Sequence, residues 1–132
     1  MSGSFTTYGR KLLIDGLFIT PNSIGTVYIA LAFVVPGTTD DATRLIEPAG
    51  LNYSRKAYAG GWLAGTAGEV FNASIVTFNT PSGDWGVVRG WAICSAVVGG
   101  KVIGSGALRS PTPIKIGNVP TIAVRGIRAA LR

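Results

Sequence analysis

Glycine occupies 19 of the 132 positions, about double its average share of ~7%. Short strands joined by many turns use glycine this way, and helical bundles do not. The longest stretch without a charge runs from Gly16 to Thr39. Pro21, Asn22, Ser23 and Pro36 interrupt it, leaving Val27–Val35 as its apolar run. A membrane-spanning helix needs ~20 apolar residues, so this run reads as a strand buried on both faces.

The rest of the chain carries the same signals. Tyr53–Tyr58 reads as a strand, followed by a soft segment from Gly60 to Gly68. Val70–Phe78 alternates between two faces, and Thr80-Pro81-Ser82-Gly83-Asp84 is a turn cluster. Gly86–Val98 sets Val87, Arg89, Trp91 and Ile93 against the small Gly90, Ala92, Cys94 and Ala96. Gly99-Gly100 predicts a two-residue hairpin into Lys101–Leu108, because both positions tolerate positive φ. Arg44–Glu47 and Ile114–Ile116 read as short extended pieces, and Thr121–Leu131 as the closing strand. One helix is expected at about 7–17, capped by Thr6 or Thr7 and stopped at Asp15-Gly16. It is too short to stand alone and must dock. The expectation is one all-β domain over residues 1–132, a β-sandwich of jelly-roll type with about eight strands and a short N-terminal helix.

Composition narrows the function. Length suits one domain, and by surface scaling roughly two-thirds of the chain's surface is buried on folding. Charged residues are 14% and mean hydropathy is positive, against disorder. Cys94 is the sole cysteine, so no internal disulfide forms. With no histidine and one cysteine, neither a histidine-ligated metal site nor a thiolate cluster is expected, and no cofactor. The N-terminus lacks the basic start and apolar centre of a signal peptide, which predicts no export and no membrane anchor. Asn52-Tyr53-Ser54 and Asn72-Ala73-Ser74 match the glycosylation sequon, and without export both are read as chance.

Chemistry is poorly provided for. The carboxylates are Asp15, Asp40, Asp41, Glu47, Glu69 and Asp84, most at turns or element ends. Asp40-Asp41 is the only adjacent pair, and neighbours in extended chain point opposite ways. No histidine is present to activate a serine, threonine or cysteine nucleophile. Cys94 sits mid-strand as a small hydrophobe. An enzyme is not expected. The formal charge of +6 is dispersed, with groupings at Arg10-Lys11, Arg55-Lys56 and Arg125, Arg128, Arg132. A β-barrel binding single-stranded nucleic acid would alternate aromatics with basic residues on exposed strands. Tyr53 and Arg55 share one face, but Phe71, Phe78 and Trp91 fall in core-like patterns. An acidic protein partner accounts for the charge more simply.

A longer pattern emerges over residues 8 to 131. Leu12-Leu13-Ile14-Asp15 precedes Tyr28-Ile29-Ala30-Leu31, and Glu47 precedes Tyr53-Ser54-Arg55. Asn72 stands six residues before Phe78, and Asp84-Trp85-Gly86-Val87-Val88 follows. Gly99-Gly100-Lys101-Val102-Ile103, Gly106-Ala107-Leu108 and a Pro-Ile-Lys-Ile-Gly-Asn turn complete it. This resembles small structural proteins of tailed bacteriophages, of the tail-fibre-like, head-fibre or capsid-decoration kind. Where that pattern has an acidic residue late in the central strand, this chain has Ser95.

The resemblance implies a virion protein, foremost a capsid decoration or cement subunit on the head lattice. The alternatives are a tail or head-fibre component and, from another class, the nucleic-acid-binding barrel. It implies partnership with a major capsid protein or another virion protein, and a homo-oligomer, with a trimer favoured. It singles out Glu47, Tyr53, Arg55 and Trp85 for structural roles, Trp85 capping an edge with Arg55 bonded near it. A receptor or glycan site around Trp62 and Trp85 is the functional alternative. Arg125, Arg128 and Arg132 lie on a final segment that reads as an edge strand or an arm across a partner.

Overall fold

The computed structural model describes residues 3–5, 26–36, 41–64, 70–124 and 126–130. Among the described residues ten strands are present: β1 Gly3–Phe5, β2 Val27–Ala32, β3 Lys56–Tyr58, β4 Trp62–Ala64, β5 Val70–Asn72, β6 Val76–Thr77, β7 Gly86–Cys94, β8 Val102–Ile114, β9 Thr121–Ile122 and β10 Arg128–Ala130. Eight make one sheet in the order β3-β2-β7-β8-β1-β10-β5-β4, and β6 pairs with β9 in a separate ribbon. Neighbours are antiparallel except β1 and β10, which run parallel.

The pattern of β2 and β7 explains the centre of the sheet. Val27, Ile29 and Leu31 of β2 join Trp91 and Ile93 of β7 in the main core. Ala30, Ala92 and Cys94 lie in a second cluster with Ala42 and Val102. The small residues let the 42–45 segment lie close against that side. Burying a large side chain stabilises by about 1.5–3 kcal/mol, so the Trp91 side dominates.

The sheet curls until its two edges meet. β3 and β4 end the strand order yet follow one another in the chain. Tyr58 of β3 packs edge-on against Trp62 of β4, centroids 5.1 Å apart. Its hydroxyl donates to Gly61 O at 2.5 Å and accepts from Ala73 N at 2.9 Å and Ser74 N at 3.0 Å. Tyr58, Val70, Val76, Ile122 and Ile127 therefore share one core with β2 and β7.

The all-β expectation and most strand positions agree with this structure, with specific departures. Eight strands form one continuous curled sheet, so the order does not establish the two packed sheets of a jelly roll. The expected helix at 7–17 lies outside the described residues. β1 and the strand β4 within the soft segment are additions. Arg44–Glu47 is not extended throughout, because Ala42–Arg44 forms a 3₁₀ turn capped by Asp41. Val70–Phe78 breaks into β5 and β6, since the Asn72 side chain binds Ser74 O and Ala123 O, both at 2.9 Å, and bends the chain.

Gly99 and Gly100 do take positive φ, +65° and +78°. The hairpin is nonetheless longer than two residues, closing between Ser95 and Lys101 through Ser95 N to Lys101 O at 2.9 Å. β8 runs on through Pro111 and Pro113 to include Ile114. Beyond Gly106 no described residue pairs with β8 on the β1 side, and an edge position of that kind tolerates proline. The closing strand splits at a turn in which Gly126 N donates to Ala123 O at 2.8 Å. Its second half, β10, lies between β1 and β5. Arg128 therefore sits on an interior strand, contrary to the edge or arm reading, because β10 pairs with β5 at Arg128 and Ala129 and with β1 at Ala129 and Ala130.

Candidate functional site

Three stretches converge beside β2 and the β7–β8 hairpin. Phe33 N donates to Ile46 O at 2.8 Å, which lays the 45–47 segment along the end of β2. Ala42 N donates to Gly100 O at 3.1 Å, which ties the 3₁₀ turn to the hairpin loop. Tyr53 and Arg55 enter from the approach to β3.

Arg55 meets Glu47 as a fork, Nε to Oε1 at 3.0 Å and Nη2 to Oε2 at 2.9 Å. Its Nη1 donates to Ala96 O at 2.9 Å and Gly99 O at 2.8 Å, and Nη2 also reaches Ala42 O at 3.3 Å. A guanidinium has five N–H donors, and these five bonds use all of them. Tyr53 Oη donates to Glu47 Oε1 at 2.7 Å and accepts from Leu31 N at 3.2 Å. The ion-pair side chains are only 5% and 18% exposed, so charge-assisted bonds form here with little competition from water.

Trp85 completes the group. Its ring meets Tyr53 edge-on, centroids 5.2 Å apart and planes at 87°. Its Nε1 donates to Leu51 O at 2.8 Å, and it is buried. Glu47, Tyr53, Arg55 and Trp85 are thus one contiguous network, with Arg55 joined to Trp85 through Glu47 and Tyr53. Arg128 lies elsewhere, its guanidinium 5.9 Å from the centre of the Phe71 ring. Arg125 and Arg132 lie outside the described residues.

The electrostatics follow from burial and pairing. Burial, then the bond to Glu47, pushes the Tyr53 phenol well above its ordinary range. Burial works against the charged Arg55, but its bonds to Glu47 carry the guanidinium above its usual value. Burial pushes the Cys94 thiol up to about 12, so it is not a reactive thiolate at neutral pH. Among the described residues no group of His, Cys, Asp and Glu is arranged to hold a metal ion. With every Arg55 donor and the Tyr53 hydroxyl engaged, neither offers a hydrogen bond to a phosphate or a base. The arrangement fastens three backbone segments together.

Trp85 and Trp91 are buried, and Trp62 packs on Tyr58. Asn72 is fully buried, its amide donating to Ser74 O and Ala123 O while its oxygen accepts from Ile127 N at 2.8 Å. That sequon is closed to modification in the folded state. Sequence reasoning missed the structural weight of Asn72 and Tyr58. An Asn between Phe71 and Ala73 in an otherwise apolar alternation was the available signal. Tyr58 gave none, because its partners are backbone groups.

A saturated polar network thus pins one side of the curled sheet. The family model described as podophage GP4 fiber I protein gp80 matches residues 4–130. The chain belongs to that family, a family of phage structural proteins. No curated protein matches it.

Proposed function

We propose that this chain is a non-enzymatic fibre subunit of a tailed-phage virion, working as a homo-oligomer attached to another virion protein. The observation that supports it most is the family description, a fibre protein matched over nearly the whole chain. The Glu47–Arg55 network supports it physically, since a part bearing mechanical load needs loops of fixed shape. Capsid decoration, on a major capsid protein lattice, is the second reading. The formal charge of +6 supports it, because a basic subunit is drawn to a lattice of acidic surface.

Mass spectrometry of purified particles tests both. The expected result is the protein in virions at low copy number, as a fibre has few sites. Hundreds of copies per particle would establish decoration instead, and absence from purified particles would end both readings. A filter-binding titration with single-stranded DNA checks the nucleic-acid alternative. No steeply salt-dependent binding is expected.

A further inference from the structure

The β7–β8 loop carries a feature that its own fold does not use. Val97 is 48% exposed and Val98 is 82% exposed, the most exposed of the large hydrophobic side chains among the described residues. These valines are not on a slack loop. Arg55 Nη1 holds the carbonyls of Ala96 and Gly99 on either side of them. Gly99 and Gly100 supply the left-handed backbone, and Lys101 N donates to Ser95 Oγ at 2.8 Å at the base. A buried ion pair is thus spent on fixing two apolar side chains in water. Preorganised apolar groups of this kind bind well because little ordering is left to do.

Beside the tip lies a hollow of about 230 Å³, lined by Pro48, Tyr53, Ser54 and the two valines, with the mutually paired Glu47 and Arg55 completing its wall. Knob and hollow therefore share one face, which is the requirement for a surface that meets its own copy. The charges favour the same occupant. Copies that are each +6 repel one another, so they associate where the surface is closest to neutral. Two of the three carboxylates among the described residues, Asp41 and Glu47, lie at this end. They offset two of the three cations here, Arg44, Arg55 and Lys101, leaving one net positive charge, with Asp41 3.9 Å from Arg44 and bridged through the backbone to Lys101.

We propose that the Val97–Val98 tip is a self-association contact, the valines of one copy entering the Pro48–Tyr53–Ser54 hollow of the next. This deepens the reading of the chain as a homo-oligomeric virion subunit and rests on its self-association.

Sedimentation equilibrium on the full chain, from low micromolar to hundreds of micromolar, tests it. The expected result is concentration-dependent association that Val98→Asp weakens roughly tenfold or more. Val98→Ser, which removes the apolar group without adding charge, is expected to weaken it in the same direction. Both variants should keep the wild-type melting temperature, since Val98 contributes little to the core. A wild-type chain that stays monomeric throughout would overturn the proposal, as would variants that associate like the wild type. Phage carrying Val98→Asp supply a separate readout. Loss of the subunit from particles with unchanged self-association would show that the tip docks another virion protein, and would also overturn it. Absence of the wild-type chain from particles would remove the virion reading while leaving the sedimentation result to decide this one.

Discussion

Arg55 illustrates how a charge can be buried and still serve stability. Removing one partner of a buried pair strands the other, which costs about 3–5 kcal/mol. Arg55→Ala leaves Glu47 and the carbonyls of Ala96 and Gly99 without their donor, so a loss of that order is expected in urea unfolding. Glu47→Leu combined with Arg55→Leu should cost less than the sum of the single changes, with a coupling of about 1–3 kcal/mol. Additive losses would show that the two side chains act independently. Cys94 makes a second residue-scale prediction. Its thiol titrates at 9.0 in the unfolded chain and is pushed up to about 12 by burial in the fold. The unfolded chain therefore releases this proton first as pH rises. The stabilisation is complete below pH 9.0 and is lost from there toward about 12, at a slope approaching ~1.4 kcal/mol per pH unit. Tyr53, also raised, adds to the decline above 10.0. Urea midpoints between neutral and strongly alkaline pH should fall less steeply in Cys94→Ala than in the wild type.

At the scale of the element, the β7–β8 loop separates two glycines that look alike in the sequence. Both have positive φ, but a Cβ on Gly99 meets nothing within 4 Å. A Cβ on Gly100 lies 2.7 Å from Ser95 Oγ and 3.0 Å from Ala96 Cβ. Gly99→Ala bears only the left-handed backbone, about 1–2 kcal/mol. Gly100→Ala must also displace the Ser95 hydroxyl that receives Lys101 N, adding about 1 kcal/mol or more. Thermal unfolding of the two variants should rank them in that order, and equal losses would show that the loop yields freely. The strand breaks obey the same local logic. Asn72 ends β5 because its amide takes backbone partners across the chain, and Pro111 and Pro113 stay in β8 where no described residue pairs with it on the β1 side beyond Gly106.

For the whole molecule, charge and shape have different tasks. The carboxylates among the described residues are few, and the remaining surface is basic. Attachment to an acidic virion partner through that surface weakens with salt, because the screening length shortens to ~3 Å at molar ionic strength. Washing particles at rising salt should therefore release the subunit progressively. Release that ignores salt would place the contact on apolar surface instead. Self-association through the near-neutral valine tip should respond in the opposite sense, strengthening as salt screens the repulsion between copies.

Local chemistry was enough to read much of this protein. The apolar run at Val27–Val35, the large-small alternation of Gly86–Cys94 and the positive φ of Gly99 and Gly100 follow from side-chain period and turn stereochemistry, which act between near neighbours. The Glu47, Tyr53, Arg55 and Trp85 set was legible through a family resemblance rather than through spacing. What only the tertiary structure decided depends on distant groups meeting. Arg55 is saturated because carbonyls 41 and 44 positions away come to it. The sheet is one curled surface because Tyr58 finds backbone groups across its two edges. β10 is an interior strand because β1 arrives from the other end of the chain. Long-range pairing has no period in the sequence, since it is set by which buried polar groups can be satisfied at once when the core closes.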